Sequence, residues 1–216
     1  MPVTTLQRGR LITLEGGEGA GKSTLLRGLE AHLRAQGVDL VVTREPGGTA
    51  VGESVRALVL DAANNELTAE AELLLMFASR AQLVRQVIEP ALAAGRWVLC
   101  DRFTDASYAY QGGGRRQPVE RIADLERWAA EGLVPDVTLL LDLPVATGRA
   151  RAAGRGEVDR IEVESDAFFE RVRDTYRARA AAEPARFRVL DASAPAEAVL
   201  DQAVAGLAGL FARVAP

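Results

Sequence analysis

The sequence has one cysteine and one histidine in 216 residues. It therefore cannot form an internal disulfide or a zinc site of clustered cysteine and histidine ligands. No run approaches the roughly 20 uncharged apolar residues of a membrane helix, and residues 1–10 lack the apolar core of a signal peptide. The formal net charge of −4 argues against binding nucleic acid or a membrane by bulk attraction. These absences predict a cytoplasmic protein whose positive charge is confined to a pocket.

Apolar periodicity predicts alternating strands and helices along one domain, residues 1–216. The predicted strands cover residues 11–14, 38–43, 96–100, 137–141 and 187–190. The predicted helices cover residues 22–36, 50–60, 68–94 with a kink near Pro90, 105–111 followed by a glycine break, 118–131, 145–153, 165–182 and the end of the chain. This alternation predicts an α/β fold, a doubly wound parallel sheet flanked by helices, with ligands beyond the carboxyl ends of the strands.

A phosphate-binding loop (P-loop) is predicted where the first strand meets the first helix. Residues 16–23 read Gly-Gly-Glu-Gly-Ala-Gly-Lys-Ser and match GxxxxGKS in the strand-to-helix context that the motif requires. Backbone N–H groups of such a loop surround a triphosphate, Lys22 is expected at the β- and γ-phosphates, and Ser23 at Mg²⁺. The candidate ATP-binding residues here are Gly16, Gly17, Glu18, Gly19, Ala20, Gly21, Lys22, Ser23 and Thr24. The loop indicates the donor and leaves the acceptor open.

A second signature, Asp101 followed by Arg102, stands at the end of the third predicted strand. An acidic residue at this position can hold Mg²⁺ beside the P-loop, directly or through water. Arg102 would then face the transferred phosphoryl group. The alternative interpretation is an ordinary ion pair in a loop.

Four further segments carry a family resemblance. They are Thr-Arg-Glu-Pro-Gly-Gly-Thr at 43–49, Asp-Arg-Phe at 101–103, Ala-Tyr-Gln-Gly-Gly-Gly at 109–114 and Asp-Arg-Ile-Glu at 159–162. With the P-loop, they make the chain resemble the thymidylate kinase family over essentially its whole length. The resemblance implies a three-layer P-loop nucleoside monophosphate kinase fold with a five-stranded parallel sheet. It also implies a homodimer that transfers the γ-phosphoryl group of ATP to dTMP with Mg²⁺.

The resemblance also implies residues for dTMP. Arg56 and Arg102 would hold its phosphate, Arg80 the thymine edge, and Tyr110 would crowd the sugar where a ribonucleotide carries its 2′-hydroxyl. The remaining implied dTMP-binding residues are Glu18, Pro46, Leu58, Ser107 and Gln111.

The residue that covers the thymine ring is left open. The family's stacking aromatic residue usually precedes the arginine by four positions. Here Met76 has that spacing from Arg80, and Phe77 is one residue later. Because a helix turns about 100° per residue, the two side chains face different directions.

Arginines at 149, 151, 155 and 160 surround two glycines and predict a mobile basic lid at about residues 149–162. In one subgroup of the family the lid supplies an arginine that the P-loop lacks, which implies that Arg155 or Arg151 contacts ATP. The implied catalytic residues are Glu18, Lys22, Asp101, Arg102 and Arg155, with Ser23 and Asp101 at the metal. The alternative for this segment is a solvated basic helix end.

Two other functions remain open at this point. One is a kinase for another nucleoside monophosphate or a deoxynucleoside. The other is an ATP-hydrolysing switch, which predicts ATP turnover without any acceptor, whereas a kinase hydrolyses little ATP until its acceptor binds.

Overall fold

The computed structural model describes residues 7–153 and 159–211. Its strands are β1 (Leu11–Gly16), β2 (Leu40–Arg44), β3 (Trp97–Asp101), β4 (Val137–Asp142) and β5 (Phe187–Asp191). Its α-helices are α1 (Lys22–Ala35), α2 (Ala50–Leu60), α3 (Ala69–Leu83), α4 (Glu89–Ala93), α5 (Thr104–Ser107), α6 (Val119–Ala129), α7 (Val145–Ala152), α8 (Asp166–Ala182) and α9 (Ala196–Phe211). Two π-helical stretches cover Val84–Ile88 and Tyr108–Gly114.

The strands form one parallel sheet in the order β2-β3-β1-β4-β5. The central strand β1 is buried along its whole length, as expected for a strand covered on both faces. Its residue Leu14 lies opposite Asp101 of β3, and Gly16 lies opposite Leu141 of β4. The sheet therefore brings the start of the P-loop beside Asp101, and the predicted five-stranded parallel sheet is confirmed.

Helices cover both faces of the sheet and complete three layers. On one face, α1 and α9 bury leucines against β1 and β4, among them Leu29, Leu33 and Leu207. On the other face, the end of α3 and the helical turns after it pack against β1 and β3 through Leu83 and Ile88, and α8 packs against β4. Among the described helices, none is long and apolar enough to cross a membrane.

The long predicted helix at 68–94 has an irregular stretch directly before its proline. The π-helical stretch Val84–Ile88 joins α3 to α4 with helical backbone throughout, and Pro90 follows it. A proline inside a helix cannot donate the intrahelical hydrogen bond, and its ring crowds the preceding turn. The irregular stretch therefore lies next to the position where the sequence predicts a kink.

The predicted glycine break after residue 111 is wrong. The second π-helical stretch continues through Gly114. A Cβ atom on Gly113 would lie 2.1 Å from Thr175 Oγ1, and one on Gly114 would lie 2.4 Å from the Phe168 ring. These glycines therefore allow the stretch to pack closely against α8.

Candidate active site

A cavity of about 750 Å³ lies where the P-loop, the end of β3, α2, α3 and the segment after β5 meet. The predicted site residues that line it are Glu18, Gly19, Ala20, Gly21, Lys22, Ser23, Thr24, Pro46, Arg56, Met76, Asp101, Arg102, Tyr110, Gln111 and Arg151. The cavity thus brings together the predicted donor and acceptor residues.

Other predicted residues lie outside this lining. Leu58 is half exposed on α2, and its neighbours Val59 and Leu60 face the cavity instead. Gly16 and Gly17 border a smaller adjacent space. Phe77, Arg80 and Ser107 are buried away from the cavity surface, and Arg155 lies outside the described residues.

The P-loop has the backbone geometry that its glycines predict. Gly19 has φ of 70° and Gly21 has φ of 94°, a region that favours glycine. A Cβ atom on Gly19 would also meet the Gly148 carbonyl oxygen at 1.9 Å. Lys22 Nζ donates hydrogen bonds to the carbonyl oxygens of Gly16 at 3.1 Å and Gly17 at 2.9 Å. Burial lowers the pKa of Lys22 to about 8, and the nearby Arg102 adds to the shift.

Asp101 and Ser23 line the same cavity and fit a magnesium ion. The Asp101 Oδ1 atom is buried and has no hydrogen-bond partner in the structure. A buried carboxylate oxygen without a partner is unusual unless a ligand completes it. The described residues contain no group of three or more His, Cys, Asp or Glu side chains placed to hold a metal. Mg²⁺ bound by one or two protein oxygens plus substrate phosphates needs no such group.

Arg102 is held at both its backbone and its side chain. Its φ of 71° places it in the left-handed region at the end of β3. Its guanidinium donates to Glu18 Oε1 at 3.0 Å, the Tyr110 hydroxyl at 2.9 Å and the Gly16 carbonyl at 3.1 Å. It also donates to the Tyr176 hydroxyl at 3.1 Å. The side chain is 15% exposed, so it reaches the cavity from a largely buried position.

Glu15, a buried carboxyl group that sequence reasoning missed, lies behind Arg102. Glu15 is fully buried at the end of β1, where it accepts the Phe103 N–H at 2.8 Å and the Tyr176 O–H at 2.7 Å. Burial raises the pKa of Glu15 to about 8, and Asp105 adds to the shift. The only signal in the sequence was an acidic residue in an apolar strand.

Arg80 and Glu45 form a fully buried ion pair next to the cavity. The Arg80 guanidinium donates to Glu45 Oε2 at 2.8 Å, Ser107 Oγ at 2.9 Å and the Phe103 carbonyl at 3.0 Å. Glu45 lines the cavity, whereas Arg80 does not. Burial raises the pKa of Glu45, and Arg80 opposes that shift. In the structure, Glu45 therefore lies between Arg80 and the cavity.

The structure separates Met76 from Phe77. Met76 lines the cavity. Phe77 packs in a cluster with Leu73, Tyr108 and other buried residues, and the Arg80 guanidinium lies 4.5 Å from its ring centroid. Met76 is thus the member of the pair that faces the cavity.

Arg56 is the second arginine beside the cavity. Its Nη1 donates to the Pro46 carbonyl at 3.2 Å, and its pKa is lowered by burial and by Arg44. Arg44 pairs with Glu53 at 2.7 Å and is half exposed. Arg56 and Arg102 therefore put two positive charges at this part of the cavity.

Glu72 is a second buried carboxylate that the sequence did not indicate. It accepts hydrogen bonds from Arg160, Gln111 and Arg115 and is 1% exposed. Arg160 also donates to the Val59 carbonyl at 2.8 Å. Arg160 is thus buried between α2 and α3 and does not line the cavity, whereas the sequence predicted it as part of a mobile basic lid over the phosphates.

Two of the other predicted lid arginines contact backbone carbonyls. Arg149 donates to the Glu164 carbonyl at 2.6 Å and pairs with Asp166. Arg151 donates to the Ala192 carbonyl at 2.8 Å and lines the cavity with the segment after β5. Arg151 therefore borders the part of the cavity formed by the segment after β5.

The comparisons with known proteins all indicate the same protein family. The family model described as thymidylate kinase matches residues 14–203. A thymidylate kinase of Pseudomonas putida (strain W619) is 58% identical over 202 residues, which cover 94% of this chain and 98% of that protein. A thymidylate kinase of Alkalilimnicola ehrlichii is 55% identical over 209 residues, with 96% of each chain covered.

Proposed function

The chain belongs to the thymidylate kinase family, and from this premise we propose that it transfers the γ-phosphoryl group of ATP to dTMP, giving ADP and dTDP for dTTP synthesis. One observation carries the proposal. A single cavity joins the P-loop to Asp101, Arg56 and Arg102. Phosphoryl transfer asks mainly for positioning and charge neutralisation, and this cavity supplies groups for both.

On the donor side, ATP phosphates occupy the P-loop, and Lys22 moves from its own loop carbonyls to the β- and γ-phosphates. The adenine lies between Arg151 and the segment 192–196, which line the same cavity. Ser23 and Asp101 would hold Mg²⁺, which would supply positive charge to neutralise the phosphates. The unpartnered Asp101 Oδ1 supports this assignment.

On the acceptor side, Arg56 and Arg102 bind the dTMP phosphate. Met76 and Pro46 cover the thymine, and Gln111, whose Oε1 is buried without a hydrogen-bond partner, is a candidate to contact its edge. Val59 and Leu60, which the sequence did not predict as dTMP-binding residues, line the cavity where Leu58 was expected. Arg80 holds Glu45 at the cavity surface and acts on the nucleotide through it.

The reaction requires both phosphates in line. A dTMP phosphate oxygen forms a bond to the γ-phosphorus as the bond from the γ-phosphorus to the bridging oxygen of ADP breaks, and ADP leaves with that electron pair. Arg102 exchanges the Glu18 carboxylate for phosphate oxygens, with which a guanidinium also forms charge-assisted hydrogen bonds. Glu18 is then available near the acceptor sugar.

We also propose that the protein is a homodimer. Trp128 of α6 is 80% exposed and Leu74 of α3 is 58% exposed, and these two helices pack on each other. Aromatic residues are enriched at protein–protein interfaces, and an exposed Trp128 on this helix pair fits one. Light scattering of the purified protein tests this, with Trp128→Lys expected to lower the mass to that of one chain.

The test of the reaction is turnover with ATP, Mg²⁺ and one of dTMP, UMP, dCMP, thymidine or no acceptor, followed by coupled detection of ADP. We expect rapid ADP formation with dTMP and little without an acceptor. Equal ADP formation with every acceptor and without one would contradict a kinase and favour an ATP-hydrolysing switch. Faster ADP formation with another acceptor would assign a different substrate.

A further inference from the structure

A continuous set of hydrogen bonds connects β1 to the Arg102 guanidinium through two side chains outside the large cavity. Glu15 accepts the Tyr176 O–H at 2.7 Å, and the Tyr176 oxygen accepts an Arg102 N–H at 3.1 Å. Glu15 also accepts the N–H of Phe103, the residue after Arg102, at 2.8 Å. We propose that Glu15 and Tyr176 are positioning residues that fix Arg102 for the acceptor phosphate. This inference rests on the proposed function.

The two contacts of Glu15 fix both ends of Arg102. The Phe103 N–H sets the backbone where the chain leaves β3, and Tyr176 sets the guanidinium. A free arginine side chain has many rotamers, and binding a phosphate would have to freeze them. Prior fixation lowers that cost and so favours binding and transfer.

These contacts differ from the other contacts of Arg102 in one respect. Glu18 and Tyr110 line the cavity, so an incoming phosphate competes with them for the guanidinium. Glu15 and Tyr176 do not line it, and both are buried. Their hydrogen bonds are therefore the ones that persist when dTMP is bound.

The first test is removal of one hydroxyl group. In Tyr176→Phe the ring still packs in its buried cluster, but the contact to Arg102 is lost. We expect kcat/KM for dTMP to fall about tenfold, while KM for ATP stays within about twofold, since the loss of a hydrogen bond to a charged group is of this size. Tyr108→Phe is the matched control, because Tyr108 is also buried but its hydroxyl bonds Glu126. It should leave both parameters within about twofold.

Glu15 itself is tested by a graded pair of variants. Glu15→Gln keeps an acceptor for Phe103 N–H and a polar group for Tyr176, and the raised pKa of Glu15 means that an uncharged side chain suits this position. We expect Glu15→Gln to keep most of kcat/KM and Glu15→Ala to lose at least about tenfold. Equal losses in both would contradict positioning by the two hydrogen bonds.

A double-variant cycle separates positioning from a general structural role. In an Arg102→Lys background the guanidinium is gone, so adding Tyr176→Phe should lower kcat/KM less than about twofold. A full tenfold loss in that background would show that the hydroxyl does not act through Arg102 and would overturn the inference. Thermal unfolding of each variant checks that it is folded.

A crystal structure of Tyr176→Phe gives a readout that does not depend on the acceptor. We expect the Arg102 guanidinium to leave the Gly16 carbonyl, to which it now donates at 3.1 Å. An unchanged guanidinium overturns the inference even if the enzyme transfers phosphate to dTMP. Absence of dTMP-dependent turnover in the unmodified protein, with a displaced guanidinium in the variant, would instead overturn the proposed function alone.

Discussion

Replacement of Arg80 by methionine should strongly destabilise the fold, because it would leave a buried carboxylate without its counter-ion. Arg80 and Glu45 have side-chain exposures of 0% and 1%. Methionine fills much of the space of the arginine stem but offers no donor to Glu45, Ser107 or the Phe103 carbonyl. Breaking one side of a buried ion pair typically costs 3–5 kcal/mol, so we expect a loss of about 4 kcal/mol in the free energy of unfolding.

The loss in Arg80→Met should depend on pH with a defined sign. Burial already raises the pKa of Glu45, and Arg80 is the group that opposes this. Without Arg80, folded Glu45 binds a proton more readily than unfolded Glu45, so the free energy of unfolding falls as pH rises above the unfolded pKa of about 4.3. We therefore expect a larger loss at pH 8 than at pH 5.

Urea denaturation of the unmodified protein, Arg80→Met, Glu45→Gln and the double variant measures these effects. Arg80→Met leaves the buried Glu45 carboxyl without its donor, and Glu45→Gln leaves the buried Arg80 charge without its counter-ion, whereas the double variant removes both charges. The double variant should thus be about 1–3 kcal/mol more stable than the sum of the two single losses predicts. Additive losses within about 0.5 kcal/mol, or a loss in Arg80→Met that does not change with pH, would refute the reasoning.

Three further predictions concern a buried ion pair, helix packing and catalysis. Glu72→Ala should cost about 3–5 kcal/mol in unfolding free energy because it leaves buried arginines unpaired, whereas Glu30→Ala, in an exposed pair, should cost less than about 0.5 kcal/mol; similar losses would be a contradiction. Gly113→Ala should cost about 1–3 kcal/mol through its clash with α8, whereas Gly209→Ala in α9, with open space around the new methyl, should gain up to about 1 kcal/mol in the same assay. Arg155→Ala should lower kcat by about 10³-fold or more with little change in KM for dTMP, and unchanged steady-state kinetics would remove Arg155 from the mechanism.

The sequence predicted the sheet well because its strands are short apolar runs between helices with a regular period. The position of the glycine-rich loop between β1 and α1 could be predicted, because the motif places glycine at Gly19 and Gly21, where φ is positive. Helix faces were harder to assign. Leu58 was expected where Val59 and Leu60 lie, and a shift of one residue turns a helical side chain by about 100°.

Buried ionic contacts were the part that the sequence could not supply. Glu72 and Arg160 are 88 residues apart, and Glu15 and Tyr176 are 161 apart. No local pattern marks such partners, because only the folded sheet and the packing of α3 and α8 bring them together. For that reason the sequence assigned Arg160 to a mobile basic lid and gave no role to Glu15.

The left-handed backbone at position 102 has two opposing effects on stability. A residue other than glycine costs roughly 1–2 kcal/mol in this conformation, so glycine would relax the turn after β3. Glycine would also leave Glu18, Tyr110 and Tyr176 without the guanidinium that now donates to them. The side-chain contacts of Arg102 therefore offset the strain of its own backbone, and relief of that strain alone does not make glycine the more stable residue at this turn.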